Sequence, residues 1–306
     1  MSSQPGLNKE YRGPAYSTSA LASPDDLESG TAPDSIPSKL ELDNDDVVAQ
    51  QSRFRAASTV TMTPELFEKL YLSPKTAVAG DLRQRFANPT PLALAGHILC
   101  ICPLGCNLIG WKGSGGSGAA STGGYVFVGG LLLFTAGLLE FFLGNTFPFV
   151  VFCAFAGFWF SFAATLIPSF NAYGAYAASS ESAASGISTQ GFEASFGFYL
   201  LFWTVFVMIL LVCSLRTNFC FFFLFFTLEF CFICLTVGYF RLSEASAVSG
   251  SKLVQAGGGF ALACGLTGFY IFLSLMLVAV DFPYLLPVGD ISHLMVGYQE
   301  RRQNTN

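Results

Sequence analysis

His97, Asn107, Glu140 and Glu229 stand deep inside otherwise apolar stretches of the chain. A charge at the centre of a bilayer costs at least about 2.5–3.5 kcal/mol, so such residues usually mark a solute path or a structural pair. A histidine titrates close to neutral pH, which suits proton transfer or a pH-sensitive gate. A lone helical histidine equally serves as a hydrogen-bonded packing residue. Glu229 is the eleventh of 22 residues in its apolar run and cannot reach either end. Glu140 sits near the end of its run, where a solvated or capped carboxylate is the plain alternative. Two other patterns carry no chemistry. Gly113-Ser114-Gly115-Gly116-Ser117-Gly118 has the spacing G-x-G-x-x-G but no strand before it, so it reads as a flexible loop rather than a dinucleotide site. Cys231-Phe232-Ile233-Cys234 lies in mid-run with no partner pair and reads as buried apolar cysteine. With only two histidines, His97 and His293, neither a metal cluster nor a Ser-His-Asp triad can be assembled convincingly. The expectation is no catalytic residue, no metal, no cofactor and no enzyme.

The elements that must position these groups follow from composition. Of 306 residues, 52% are hydrophobic and 11% charged, with a mean hydropathy of +0.53. Soluble domains carry roughly a quarter charged residues, so a soluble fold is excluded. Charge is concentrated at one end: residues 1–87 hold nine of the 15 Lys and Arg and 12 of the 20 Asp and Glu. Neither part is basic, which argues against a nucleic-acid partner. Residues 1–62 are rich in Ser, Pro, Gly and Asp and read as a disordered cytosolic tail, without a signal peptide. Residues 63–87 read as an amphipathic juxtamembrane segment. There Thr63 can cap, Pro64 suits the first helical position, and Leu66, Phe67, Leu70 and Tyr71 share a face.

Six runs are long and apolar enough to cross a bilayer, which takes about 20 residues. They are Pro91–Trp111, Tyr125–Leu143, Thr146–Ile167, Phe196–Leu215, Phe219–Phe240 and Ala256–Val280. None alternates apolar with polar residues, so a β-barrel is disfavoured. The fold class is therefore an all-α membrane protein, with a six-helix transmembrane domain over 88–280 and a cytosolic tail over 281–306. Basic residues near the span ends favour both termini in the cytosol: Lys75, Arg83, Arg85, Arg216, Arg301 and Arg302 on one side against Lys112, Arg241 and Lys252 on the other. Gly257, Ala261 and Gly265 in the sixth span, and Gly157 and Ser161 in the third, have the spacing of close helix packing. The fifth span carries eight phenylalanines from Phe219 to Phe232, too many to face inward together.

Three landmarks carry a resemblance. Asn88-Pro89-Thr90-Pro91-Leu92-Ala93-Leu94 opens the first span. Gly137-Leu138-Leu139-Glu140-Phe141 is followed by Gly144-Asn145-Thr146-Phe147 and Gly157-Phe158-Trp159. Leu286-Pro287-Val288-Gly289-Asp290 closes the apolar body. In this order they resemble the acetate uptake transporter family, the YaaH family of bacterial succinate–acetate permeases and fungal acetate and ammonia transporters. The resemblance spans about Asn88 to His293. It implies a six-helix protomer assembled as a homo-hexamer, a permeation path through each protomer, and transport of acetate and related short carboxylates together with protons. It also implies a hydrophobic constriction whose Phe, Tyr and Leu positions fall on His97, Phe155 and Leu228. Here the Phe has become a titratable ring and the Tyr has lost its hydroxyl. Glu229 follows Leu228, where the family has a small or apolar residue, and it could pair with His97 or face the next helix.

The substrate path is accordingly expected at Asn88, Pro89, Pro91, His97, Glu140, Asn145, Thr146, Phe155, Leu228 and Glu229. At its mouth, Pro89 and Pro91 would leave backbone carbonyls unpaired and the Asn88 amide would orient a carboxylate, or Asn88 would simply cap the helix. A weak acid crosses such a gate most cheaply when neutral, because ionised carboxylate is costly to desolvate. The expected function is a plasma-membrane transporter or channel for acetate-like carboxylates, coupled to protons, in contact with the lipid bilayer. Ammonia or ammonium export, and a non-transporting membrane sensor or scaffold, are the alternatives.

Overall fold

The computed structural model describes residues 86–289 and 291. The tail over 1–62, the juxtamembrane segment up to residue 85, Asp290 and residues 292–306 lie outside the described residues. What is described is helical throughout, with no β-strand among the described residues. Six helices dominate: α1 (Thr90–Ile109), α2 (Leu131–Phe142), α3 (Thr146–Leu166), α4 (Gln190–Ser214), α5 (Phe219–Ser243) and α6 (Ala247–Ala279). All six spans are long and apolar enough to cross a membrane.

The spans differ from their sequence expectations at their ends, for local reasons. The second begins at Gly116, earlier than expected, because the Gly/Ser loop winds into 3-10 turns and a π-helical turn over Tyr125–Gly130 before α2 starts. The fourth starts at Gln190, where the Thr189 side chain accepts the Phe192 N–H and caps the helix. The sixth starts at Ala247 rather than Ala256 and runs 33 residues. At 1.5 Å per residue that is about 50 Å, longer than the roughly 30 Å hydrocarbon layer. Its first turns, with Ser251 and Lys252 exposed, therefore project beyond the apolar zone.

Chain reversals are made by residues that tolerate left-handed backbone. Gly110 ends α1 at φ 84°, its N–H donating to the Cys106 and Asn107 carbonyls. Gly144, at φ 76°, turns the chain between α2 and α3. The Asn218 side chain accepts the Phe221 N–H and caps α5.

Packing places α1 against α2 and α6, α2 against α3, and α5 between α4 and α6. The α1 and α6 backbones approach each other closely. A Cβ added at Gly105 would lie 2.9 Å from the Gly258 carbonyl, and one at Gly258 would lie 2.8 Å from Leu108 Cβ. In the sixth span, Gly257 packs on Leu235 of α5 and Gly265 on Cys102 of α1, as their spacing suggested. Gly157 does not follow that pattern, since a Cβ there would meet nothing within 4 Å. Among the described residues no other helix covers that face of α3. The α5 phenylalanines divide as their number required: Phe225 and Phe232 are buried, whereas Phe219, Phe223, Phe226 and Phe230 are exposed. The least buried span is that of α4, with Phe198, Phe202, Val205, Ile209 and Val212 all exposed.

After α6 an extended strap, residues 284–289, returns to the start of α5. The Gly289 and Val288 carbonyls accept the Phe219 and Cys220 N–H groups at 2.7 and 3.3 Å, and Tyr270 Oη donates to the Pro287 carbonyl at 2.7 Å. The Leu-Pro-Val-Gly landmark thus satisfies orphan donors of the α5 N-terminus, and Val288 is buried in the core.

Gly258→Val is expected to destabilise the bundle by about 1–3 kcal/mol through overpacking, read as a lower thermal midpoint in detergent. Gly157→Ala should leave that midpoint unchanged.

Candidate functional site

Four helices converge on a small cavity of ≈ 30 Å³. Ala93, Leu94 and His97 come from α1, Leu133 from α2, and Val151, Phe152 and Phe155 from α3. Phe221, Leu224, Phe225 and Leu228 come from α5. His97 is the single polar residue of this wall. The structure therefore brings three of the sequence-derived path residues, His97, Phe155 and Leu228, to one place, although they are far apart in the chain.

Helical spacing explains the lining. Ala93 and His97 are one turn apart on α1, and Phe221, Leu224, Phe225 and Leu228 follow i, i+3, i+4, i+7 on α5, one face of the helix. Val151, Phe152 and Phe155, at i, i+1 and i+4, share a face of α3. The His97 ring is 8% exposed and meets Phe155 and Trp159 edge-on, with centroids at 5.7 and 6.1 Å. Its Nε2 lies 3.8 Å from Cys264 Sγ of α6. Trp159 stacks on Tyr125, with centroids 5.2 Å apart, and Phe155 packs on Trp203. The histidine is thus held in an aromatic cage that opens on the cavity.

Glu229 takes no part in that wall. Adjacent helical residues point about 100° apart, and with Leu228 turned to the cavity the Glu229 side chain points elsewhere. It is 2% exposed, and its Oε2 has no hydrogen-bond partner among the described residues. No hydrogen bond or ion pair links it to His97 among the described residues.

The remaining path residues form a second cluster. Glu140, 1% exposed, accepts from Thr90 Oγ1 at 2.6 Å on one oxygen and from Asn145 Nδ2 at 2.5 Å on the other. The Asn145 N–H also donates to the Glu140 carbonyl at 3.0 Å. One carboxylate therefore ties the first residue of α1 to the end of α2 and the start of α3, and it is neither solvated nor a helix cap. Asn88 is turned inward on its own helix: its Oδ1 accepts the Thr90 N–H at 3.0 Å. The Pro89 carbonyl is not left unpaired. It accepts the Leu92 and Ala93 N–H groups at 3.0 and 3.3 Å and closes the first turn. Pro91 sits in that turn, where its missing N–H costs nothing, and Thr146 opens α3. The Asn-Pro motif therefore builds a helix start, which is a correction to the unpaired-carbonyl expectation. Sequence reasoning missed Thr90 and Cys264. Thr90 was visible as the variable position of the landmark, whereas nothing local distinguishes Cys264 from eight other cysteines.

Comparison with known proteins bears on this geometry. The sequence profile of the GPR1/FUN34/yaaH family matches residues 71–291. The chain belongs to this family. Among relatives, Protein alcS of Aspergillus fumigatus is 41% identical over 247 residues, covering 81% of this chain and 91% of that protein. Acetate permease A of Emericella nidulans is 31% identical over 223 residues, 72% of each. The fold is similar to that of the bacterial acetate channel SatP, with a TM-score of 0.53 and 26% identity over 67% of this chain and 99% of that one. As a member of the GPR1/FUN34/yaaH family with six apolar helices, the chain is a multi-pass membrane protein.

Removing the carboxylate leaves Thr90 and Asn145 facing each other across a buried gap. Glu140→Ala is expected to cost about 3 kcal/mol or more and to lower the thermal midpoint well below that of Thr90→Val, which removes only the Thr90 bond.

Proposed function

We propose that this chain passes acetate and related short-chain carboxylates across the plasma membrane, as a transporter or channel whose solute is the neutral acid and therefore carries a proton. The observation that carries this reading is the shared cavity of His97, Phe155 and Leu228, apolar everywhere except at one imidazole. An anion entering that wall would lose its hydration with no cation to replace it, whereas a protonated acid needs a partner only for its hydroxyl hydrogen and carbonyl. The names of Acetate permease A and of the acetate channel SatP support the same solute class. We place the path residues in two groups. His97, Phe155 and Leu228 form the constriction, and Asn88, Pro89, Pro91, Glu140, Asn145 and Thr146 hold it in register. Glu229 stands beside the constriction, turned about 100° from Leu228 around α5. Homo-hexameric assembly with both termini in the cytosol fits the uncovered apolar faces of α3 and α4 and the basic-residue bias. No catalytic chemistry is assigned.

Purified full-length protein in liposomes tests this. An inward gradient of labelled acetate should load protein-bearing vesicles faster than empty ones and acidify their lumen. Equal rates in the two would reject the reading, and uptake of methylammonium without acetate would favour ammonium export instead. Within the constriction, His97→Ala opens the wall, and passage of larger acids such as succinate should rise about tenfold relative to acetate, the scale of discrimination that a few missing atoms in a pocket produce.

A further inference from the structure

Glu229 belongs neither to the constriction nor to the Glu140 cluster. It stands in mid-span, 2% exposed, with Oε2 lacking a hydrogen-bond partner among the described residues. Its neighbours on α5 show which helix covers it. Phe232 stacks on Trp203 of α4 with centroids 6.2 Å apart, the Thr236 and Thr204 hydroxyls are 3.2 Å apart, and Phe240 meets Phe198 at 5.0 Å. Glu229, Phe232, Thr236 and Phe240 follow i, i+3, i+7, i+11 and form one stripe. Leu224, Leu235 and Gly238 make the separate stripe that meets α6, and Phe219, Phe223, Phe226 and Phe230 make the exposed one. Glu229 is therefore closed in by α4.

The two helices run antiparallel. Three residues back from Phe232 correspond to three on from Trp203, and seven back from Thr236 to seven on from Thr204. Glu229 thus lies opposite Phe206-Val207-Met208-Ile209-Leu210-Leu211, a stretch with no polar side chain. No cation answers it there. Glu193 is the one charged residue of α4 and lies at its far end, Lys252 is that of α6 and lies in its exposed first turns, and α3 has none. Arg216, before α5, is about 15 Å of helix rise away, and Arg241 pairs with Glu244 at 3.1 Å. His97 of α1 is turned to the cavity. The other titratable groups near this level are thiols: Cys213 on α4, Cys231 and Cys234 on α5, and Cys264 on α6. An ionised carboxylate in this seam would have neither water nor a counter-charge, and such buried ions are costly.

We propose that Glu229 is a proton-binding site in the α4–α5 seam, which holds its proton while α4 is docked and releases α4 when the proton leaves. The site takes a proton alone, separate from any that a solute carries. The α4 helix is suited to respond, being the least buried of the six spans. Its inward contact is Trp203, whose ring packs on Phe155 and Phe158 of α3 at 5.6 and 5.1 Å. Phe155 lines the constriction, so a shift of α4 reaches it through one indole. Proton binding and docking are linked, so docking is favoured in acid and lost as the pH rises. The consequence for flux rests on the transport reading above, but the proton site does not.

The test compares full-length protein in liposomes with Glu229→Gln, which keeps the size and neutrality of the protonated acid. At neutral pH the wild-type infrared spectrum should show the carbonyl stretch of an undissociated carboxylic acid that Glu229→Gln lacks, and this band should fade as the pH is raised. Over the same rise the wild-type thermal midpoint should fall by about 5 °C more than that of Glu229→Gln. At alkaline pH amide exchange in α4 should be about tenfold faster in the wild type than in Glu229→Gln, with α1 unchanged, and in acid the two should match. A carboxylate band from Glu229 at neutral pH overturns the site. Midpoints and α4 exchange that respond to pH equally in both proteins overturn the link to α4. Glu229→Met, which fills the seam with an apolar chain of similar length, is the second variant. It should melt in acid no lower than the wild type and be as indifferent to pH as Glu229→Gln, and a large drop in acid would reveal a partner for the carboxyl and overturn the proposal. Acetate flux should depend on pH more steeply in the wild type than in Glu229→Gln, and equal slopes would overturn the link to the constriction. Vesicles that carry no acid with any variant would reject the transport reading and leave the infrared and exchange results to decide the proton site.

Discussion

The carboxylate of Glu140 is the interaction on which the placement of the cavity-lining residues depends. It receives one hydrogen from Thr90 at the start of α1 and one from Asn145 at the α2–α3 turn. His97 follows Thr90 by seven residues and Phe155 follows Asn145 by ten, about 10 Å and 15 Å of helix rise. Pinning both helix starts to one side chain sets the axial register of α1 against α3, and so lets the His97 ring meet Phe155 edge-on. A carboxylate suits this role because it accepts on two oxygens at once, and because it is expensive to bury unless both are satisfied. Slippage of either helix would leave it unsatisfied.

The cavity itself is built on the opposite principle. Its wall is apolar at all but one of its lining residues, so a polar group brought there would lose its hydration with little to replace it. A single imidazole then carries the polar information of the site. Aromatic rings on α3 hold that imidazole edge-on, and α6 supplies a sulfur behind it. Close glycine contacts between α1 and α6 bring Cys264 near enough to matter: Gly105 and Gly258 allow backbones to approach where any side chain would hold them apart. Helix packing thus sets what surrounds the imidazole.

Much of the fold was legible because bilayer physics is severe. Six continuous apolar runs admit few alternatives, and all six are helices. Boundaries drifted where the chain left the apolar zone: hydropathy does not see the amphipathic first turns of α6 or the glycine-rich turns before α2. The site was legible in part. His97, Phe155 and Leu228 were found through the landmarks and do share a cavity. The Asn-Pro motif was misjudged at Pro89, whose carbonyl closes a helical turn, because a proline removes a donor without dictating where neighbouring donors go. Gly157 has small-residue spacing but faces no helix among the described residues, since spacing alone does not name a partner.

By itself, the sequence determined the membrane solvent, the number of helices, the family landmarks and the scarcity of polar groups among them, because each of these is a property of composition or of local order. Only the tertiary structure decided which polar groups do what. It separated Glu140, which accepts from Thr90 and Asn145, from Glu229, which lies outside the cavity wall, though both are buried carboxylates in apolar runs. It also placed Cys264 behind His97 across 167 positions of chain. Burial, hydrogen-bond direction and distance are relations between helices, and no periodicity within a single helix contains them.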